Sequence, residues 1–113
     1  MIIIGILSAI AIPVFISQRG KARDAATRTD ISTIGKEMAT YFVDNVGLPP
    51  VAAVTGGSMT LGGVVIGKAS DGTAFQAQAG TDESSWCVSL NNPEGVERTY
   101  QFSAQGGLAA GAC

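Results

Sequence analysis

Three textures follow one another along the chain. Residues 1–16, MIIIGILSAIAIPVFI, carry no charge, and as a helix they would cover about 24 Å, short of the roughly 30 Å of a bilayer's hydrocarbon. The span is therefore incomplete as it stands. Pro13 lies inside this run; it removes the bond to the carbonyl of Ala9 and, with Gly5 upstream, marks the weakest stretch of the rod. From Ser17 to Asn45 the chain has no proline, and Ile31, Ile34, Met38 and Tyr41 or Phe42 recur at three and four residues. That spacing puts them on one helical face, which must pack on something. Upstream of Ile31 the stripe thins to Ala22, Ala25 and Ala26, which predicts a stem with little core of its own. Gly47 supplies a left-handed cap and Pro49 and Pro50 forbid resumption, so the helix should end near Asn45 or Val46.

The third texture is glycine-rich and extended. Residues 51–63 read as a loop with a short strand at Met59–Leu61, and Val64–Ile66 as a further short strand. Alternation is clearer later, in Phe75, Ala77 and Ala79, then Trp86, Val88 and Leu90, then Tyr100, Phe102 and Ala104. The stretch NNPEG, 91–95, reads as the turn between the last two. The expected fold class is α+β: a long N-terminal α-helix whose C-terminal half packs on a small antiparallel β-sheet, neither layer being stable alone. The chain divides into an apolar segment at 1–23, an amphipathic helix at 24–47 and a β head at 48–113. The helix-to-sheet core is expected from Ile31, Ile34, Met38, Tyr41, Phe42, Trp86, Val88, Tyr100 and Phe102, with Leu48 to Gly80 forming the outer surface.

Composition narrows the function. The 113 residues include no histidine, which removes Ser-His-Asp and Cys-His nucleophilic arrangements and imidazole metal sites. Two cysteines, Cys87 and Cys113, are too far apart for a redox C-x-x-C and too few for a thiolate zinc site. A disulfide closing the last quarter of the chain is the better reading, and it implies an oxidising compartment. The net charge of −2 argues against a nucleic-acid partner, and the head's only cations are Lys68 and Arg98. The charge is uneven. Residues 1–43 carry five cations against three acids, whereas 44–113 carry two cations against six acids. A positive stem and a negative head could attract each other between copies, beside the plainer reading of solvated surface charge.

Two pieces of candidate chemistry fail on inspection. GGVVIGKA, 62–69, matches the opening of a phosphate-binding loop, but Ala69 stands where a hydroxyl should hold magnesium, and three β-branched residues favour extension. Asp71, Asp82 and Glu83 lack calcium-loop spacing and read as solvated loop carboxylates. No enzyme activity and no cofactor are expected.

The run IIIGILSAIAIPVFISQRGKARDAATRTDI resembles the N-terminal helix of type IV pilins, and WCVSLNNPEG with YQFSAQGGLAAGAC resembles the disulfide-closed C-terminal region of such pilins from Gram-positive, actinobacterial-type bacteria. The resemblance implies a structural subunit of an extracellular pilus, made as a single-pass membrane precursor, trimmed and N-methylated, and drawn by the pilus assembly machinery into a helical homopolymer. It implies that Ile2, Ile3, Ile4, Gly5, Ile6, Leu7, Ile10, Ile12, Pro13, Phe15 and Ile16 hold the chain in the membrane and then form the filament core. The link around Pro13 would open there into an extensible tether. The cations after the apolar run would, alone, hold the far side in the cytoplasm, against the disulfide, so a basic leader is expected upstream of Met1; the resemblance implies that a cleavage site and the family's glutamate lie there too. A minor pilin or pseudopilin that primes a secretion or DNA-uptake machine is the alternative.

Overall fold

The computed structural model describes the backbone of residues 2–113 and the side chains of residues 18–113. The roles expected of the side chains of Ile2 to Ile16 lie outside the described residues; the backbone is helical through Pro13, and the tether is an expectation about the filament rather than the single chain. Among the described residues no helix is long and apolar enough to cross a membrane.

One helix, α1 (Ile2–Asp44), is followed by seven strands: β1 (Ala52–Thr55), β2 (Ser58–Leu61), β3 (Val64–Lys68), β4 (Ala74–Ala79), β5 (Cys87–Asn91), β6 (Thr99–Ser103) and β7 (Gly107–Ala110). The fold is α+β, with α1 packed along antiparallel sheets. Two sheets are present where one was expected: a three-stranded β1-β2-β3 and a four-stranded β4-β5-β6-β7, antiparallel throughout. The extra sheet arises from the stretch read as mostly loop. Gly56-Gly57 and Gly62-Gly63 all have positive φ, the conformation that two-residue hairpins need and that side chains resist, so both glycine pairs close tight β-turns. The residues of the phosphate-loop look-alike accordingly form the second of these turns and β3, whose valines stand extended.

Gln78 joins the two sheets. Its amide Nε2 donates to the Pro50 carbonyl at 2.9 Å while its Oε1 accepts from the Ala52 N–H at 2.8 Å, so one side chain stands in for a missing strand between β4 and β1. Ala52, Met59 and Leu61 then turn inward and are buried with Ile31, Ile34, Met38, Trp86, Val88 and Leu90. This corrects the expectation that 48–80 is only outer surface: about a third of the buried apolar core comes from it.

The C-terminus supplies a second cover. On β5, Val88 and Leu90 face α1, while Cys87 and Ser89 alternate onto the opposite face. There the chain after β7 folds back across β6. Gln101 Nε2 donates to the Ala112 carbonyl at 3.2 Å, the Cys113 N–H reaches Ser89 Oγ, and Cys113 is disulfide-bonded to Cys87. Both faces of β5 are thus buried. The bond closes a 26-residue separation, and constraining a loop of that size contributes about 3.5 kcal/mol in the chain-entropy account.

Candidate functional site

Two contacts, different in chemistry, fix the head on α1. The lower one is apolar. Ile31, Ile34 and Met38 are fully buried, Phe42 continues their line, and Tyr100 and Phe102 pack against the same cluster from β6. Trp86 stacks on Phe102 with ring planes nearly parallel and centroids 6.1 Å apart. Gly35 is what lets β6 come this close, because a Cβ there would collide with the Phe102 ring. Tyr41 falls outside the cluster. It stands half-buried, edge-on to Phe42 at 5.1 Å, because its position on the helix carries it past the sheet toward the β2–β3 turn. Phe75, expected inside the sheet's apolar face, is 38% exposed on β4, next to a break in the β4–β5 register.

The upper contact is polar and was not read from the sequence. The stripe does not fade above Ile31 but continues through Asp30, Thr27 and Asp24, all buried. Asp24 accepts three backbone N–H bonds from the β5–β6 loop: Val96 at 3.0 Å and Glu97 at 2.9 Å on Oδ2, and Arg98 at 3.1 Å on Oδ1. Burial by itself would raise the pKa of this carboxyl. The three N–H bonds, with the charge of Arg28 nearby, outweigh burial and hold it below the ordinary carboxylate value. Asp30 makes a similar but smaller grip, accepting from the Ser70 N–H at 2.8 Å and the Ser70 hydroxyl at 3.2 Å. Thr27 satisfies its hydroxyl within the helix, on the Arg23 carbonyl.

The loop that meets Asp24 is braced by bonds of its own. Asn92, fully buried, donates to the Asp71 carbonyl at 2.9 Å, accepts from the Glu94 N–H at 3.1 Å, and pairs its own backbone N–H with the Arg98 carbonyl. Arg98 sits at φ +76, the only non-glycine residue with positive φ among those described, which turns its N–H toward Asp24. Gly95 and Gly20 allow the close approach: a Cβ on Gly95 would strike Asp24, and one on Gly20 would lie 2.8 Å from Val96. Arg23 closes the rim, donating to the Asp71 carbonyl at 2.8 Å and pairing with Glu94 at 3.2 Å. Tyr100 lies beneath, its phenol pushed above its usual pKa by burial and by the charges of Asp24 and Glu97, against the opposing pull of Arg28.

Elsewhere the surface offers shallow grooves. One of about 470 Å³ runs between the exposed flank of α1 and β7, and one of about 280 Å³ lies between the last turns of α1 and β3. No group of three metal-ligating side chains occurs among the described residues. Comparison with protein-family models, with curated proteins and with solved structures gives no match.

The signal that could have found the upper contact was in the spacing. Asp24, Thr27, Asp30, Ile34 and Met38 keep the three-and-four rhythm of the stripe, and only their polarity disguises it. NNPEG likewise announced a turn, in which the side chain of Asn92 accepts from the Glu94 N–H two residues on.

Proposed function

We propose that this chain is a structural subunit of an extracellular filament of the type IV pilus kind, non-catalytic, displayed at the cell surface and polymerised with copies of itself. Before assembly it resides in the membrane through the apolar segment Ile2 to Ile16, and the pilus assembly machinery then draws it into the filament. The observation that carries this reading is how α1 is used. One flank of its residues 20–42 is wholly taken up in holding the head, apolar below and polar above, so the head rides on the helix as a rigid unit. The opposite flank stays open. That is the division a subunit needs when one helix must both carry a head and pack among other helices. The disulfide at the C-terminus suits a protein working in an oxidising exterior.

The test is microscopy of purified surface filaments with peptide identification of their protein. This chain is expected as the dominant component, and a variant lacking 2–16 is expected to be absent from filaments. Trace presence of the intact chain would overturn the major-subunit reading.

A further inference from the structure

The groove along α1 and β7 is lined by Arg28, Thr29, Ser32, Lys36 and Leu108, with no carboxylate on its wall. Among the described residues the ion pair within 4.0 Å is Arg23–Glu94, so neither Arg28 nor Lys36 is paired within the chain. Arg28 is held in place instead by the Tyr100 ring, 5.8 Å from its guanidinium carbon. Leu108 is 43% exposed at the groove's edge, a large apolar side chain left partly uncovered. The cleft is thus cationic, with an apolar lip.

The head's acids differ in availability. Glu94 is engaged by Arg23, and Asp71 and Glu97 stand at the stem end beside the Asp24 grip. Asp82 and Glu83 occupy the turn between β4 and β5. That turn immediately precedes β5, whose other end runs into the loop that grips Asp24, so it lies at the far end of the sheet from the stem. It is also preformed. Asp82 Oδ1 accepts from the Ser84 N–H at 3.0 Å, the Ser84 hydroxyl at 3.0 Å and the Ser85 hydroxyl at 2.8 Å, while Ser85 Oγ accepts from the N–H groups of Thr81 and Asp82. Those bonds consume Asp82 and leave Glu83 exposed at the tip.

We infer that the groove of one copy receives the Thr81–Ser85 tip of a second copy, with Glu83 facing Lys36 and Arg28. Opposite charge, a concave wall against a rigid convex turn, and an exposed Leu108 to be covered all favour this occupant. The two surfaces lie on different parts of the molecule, so the contact is heterologous and does not close on itself; repeated, it builds an open series. The inference takes its biological use from the filament reading above, but it is measured without filaments.

The experiment is sedimentation of the full chain in detergent micelles at ~0.05 M and ~0.5 M salt, where association through an apolar segment persists and association through exposed charges weakens. Arg28→Glu with Lys36→Glu is expected to weaken low-salt association roughly tenfold, and Glu83→Lys to do the same. Combining the three substitutions in one chain should restore it, as should mixing the two variants. Lys68→Glu, exposed on β3 away from both surfaces, should leave it unchanged. If Arg28→Glu unfolds the chain, Lys36→Glu with Glu83→Lys serves as the charge swap. Association that ignores salt and these reversals overturns the inference, as does failure of the swap to recover or a Lys68→Glu effect equal to that of the groove reversal. Filaments indifferent to the reversals would leave the filament reading standing and overturn this contact. Salt-dependent association with recovery by the swap, but no filaments, would do the opposite.

Discussion

The lower and upper halves of the helix–head contact bury the same flank of α1 with opposite chemistry. Below, Ile31, Ile34 and Met38 meet Trp86, Val88 and Leu90 in a contact that depends on area and tolerates small rotations. Above, Asp24 and Asp30 meet backbone N–H groups, whose bonds weaken steeply with angle. The apolar half can hold the head on but cannot by itself fix the direction in which the stem leaves it. The polar half fixes direction, and because its acceptor is a carboxylate it is the half that responds to acid.

The largest expected effect lies below. Ile34→Ala or Met38→Ala should cost about 2–5 kcal/mol, since each removes fully buried atoms from a wall that cannot collapse past Gly35 and Phe102. Thr40→Ala, on the exposed side of the same helix, should stay within about 0.5 kcal/mol. Urea unfolding of the three variants decides it, and equal small losses would mean that the helix does not seat the sheets.

Asp24→Ala comes next, at about 1–3 kcal/mol, because three N–H groups lose a charged acceptor while the loop can rehydrate in part. Its effect should be local. Amide exchange should quicken at residues 96–98 and along 20–30 and stay slow at Val88 and Leu90. Quickening everywhere would show that the halves are one cooperative unit, and the comparison would fall.

How the two halves could be read from the chain differs for a physical reason. The lower stripe was legible because apolar residues at helical spacing have one destination. The upper one was not, since Asp24 acquires its meaning only from Val96, Glu97 and Arg98, more than 70 positions away in sequence, and an aspartate on a helix is ordinarily solvated. The strand read at Met59–Leu61 is β2, but its partner β1 has no reading in advance although Gly56-Gly57 marks the turn between them, because four residues carry almost no alternation to detect. The role of Gln78 as a strand substitute, and the fold-back of residues 111–113 over Ser89, are tertiary facts with no local signature.

Acid should separate the halves more finely. The pKa of Asp24 is depressed in the folded chain, so its contribution is fully present above the unfolded value of about 3.9 and is lost as pH falls through the lower folded value. Below about pH 4 the intact chain should therefore lose stability faster than Asp24→Asn, which has no charge to neutralise. Asp82, also held below the ordinary value by the hydroxyl and N–H groups of Ser85 and Ser84, contributes a common slope to both chains. Parallel stability–pH curves would show that the N–H cradle favours the carboxylate no more than water does.

The smallest effect tests whether the upper half is strained. Arg98 holds φ +76, where a side chain costs about 1 kcal/mol and glycine costs nothing sterically. Its side chain returns little, since Nε reaches the Gly95 carbonyl only at 3.4 Å. Two substitutions separate these terms. Arg98→Ala discards the side-chain bond and keeps the strain, so it should be neutral or slightly destabilising. Arg98→Gly discards both, gaining the strain energy and losing part of it to a freer unfolded chain, for a net stabilisation of at most about 1 kcal/mol. The sign of the difference between the two is the informative quantity. If glycine is the more stable, the loop is bent to bring three N–H groups onto Asp24, and the strain is tolerated because the charged bonds outweigh it. If alanine is the more stable, the loop adopts this shape unaided through Asn92, and Asp24 binds a cradle that was already there.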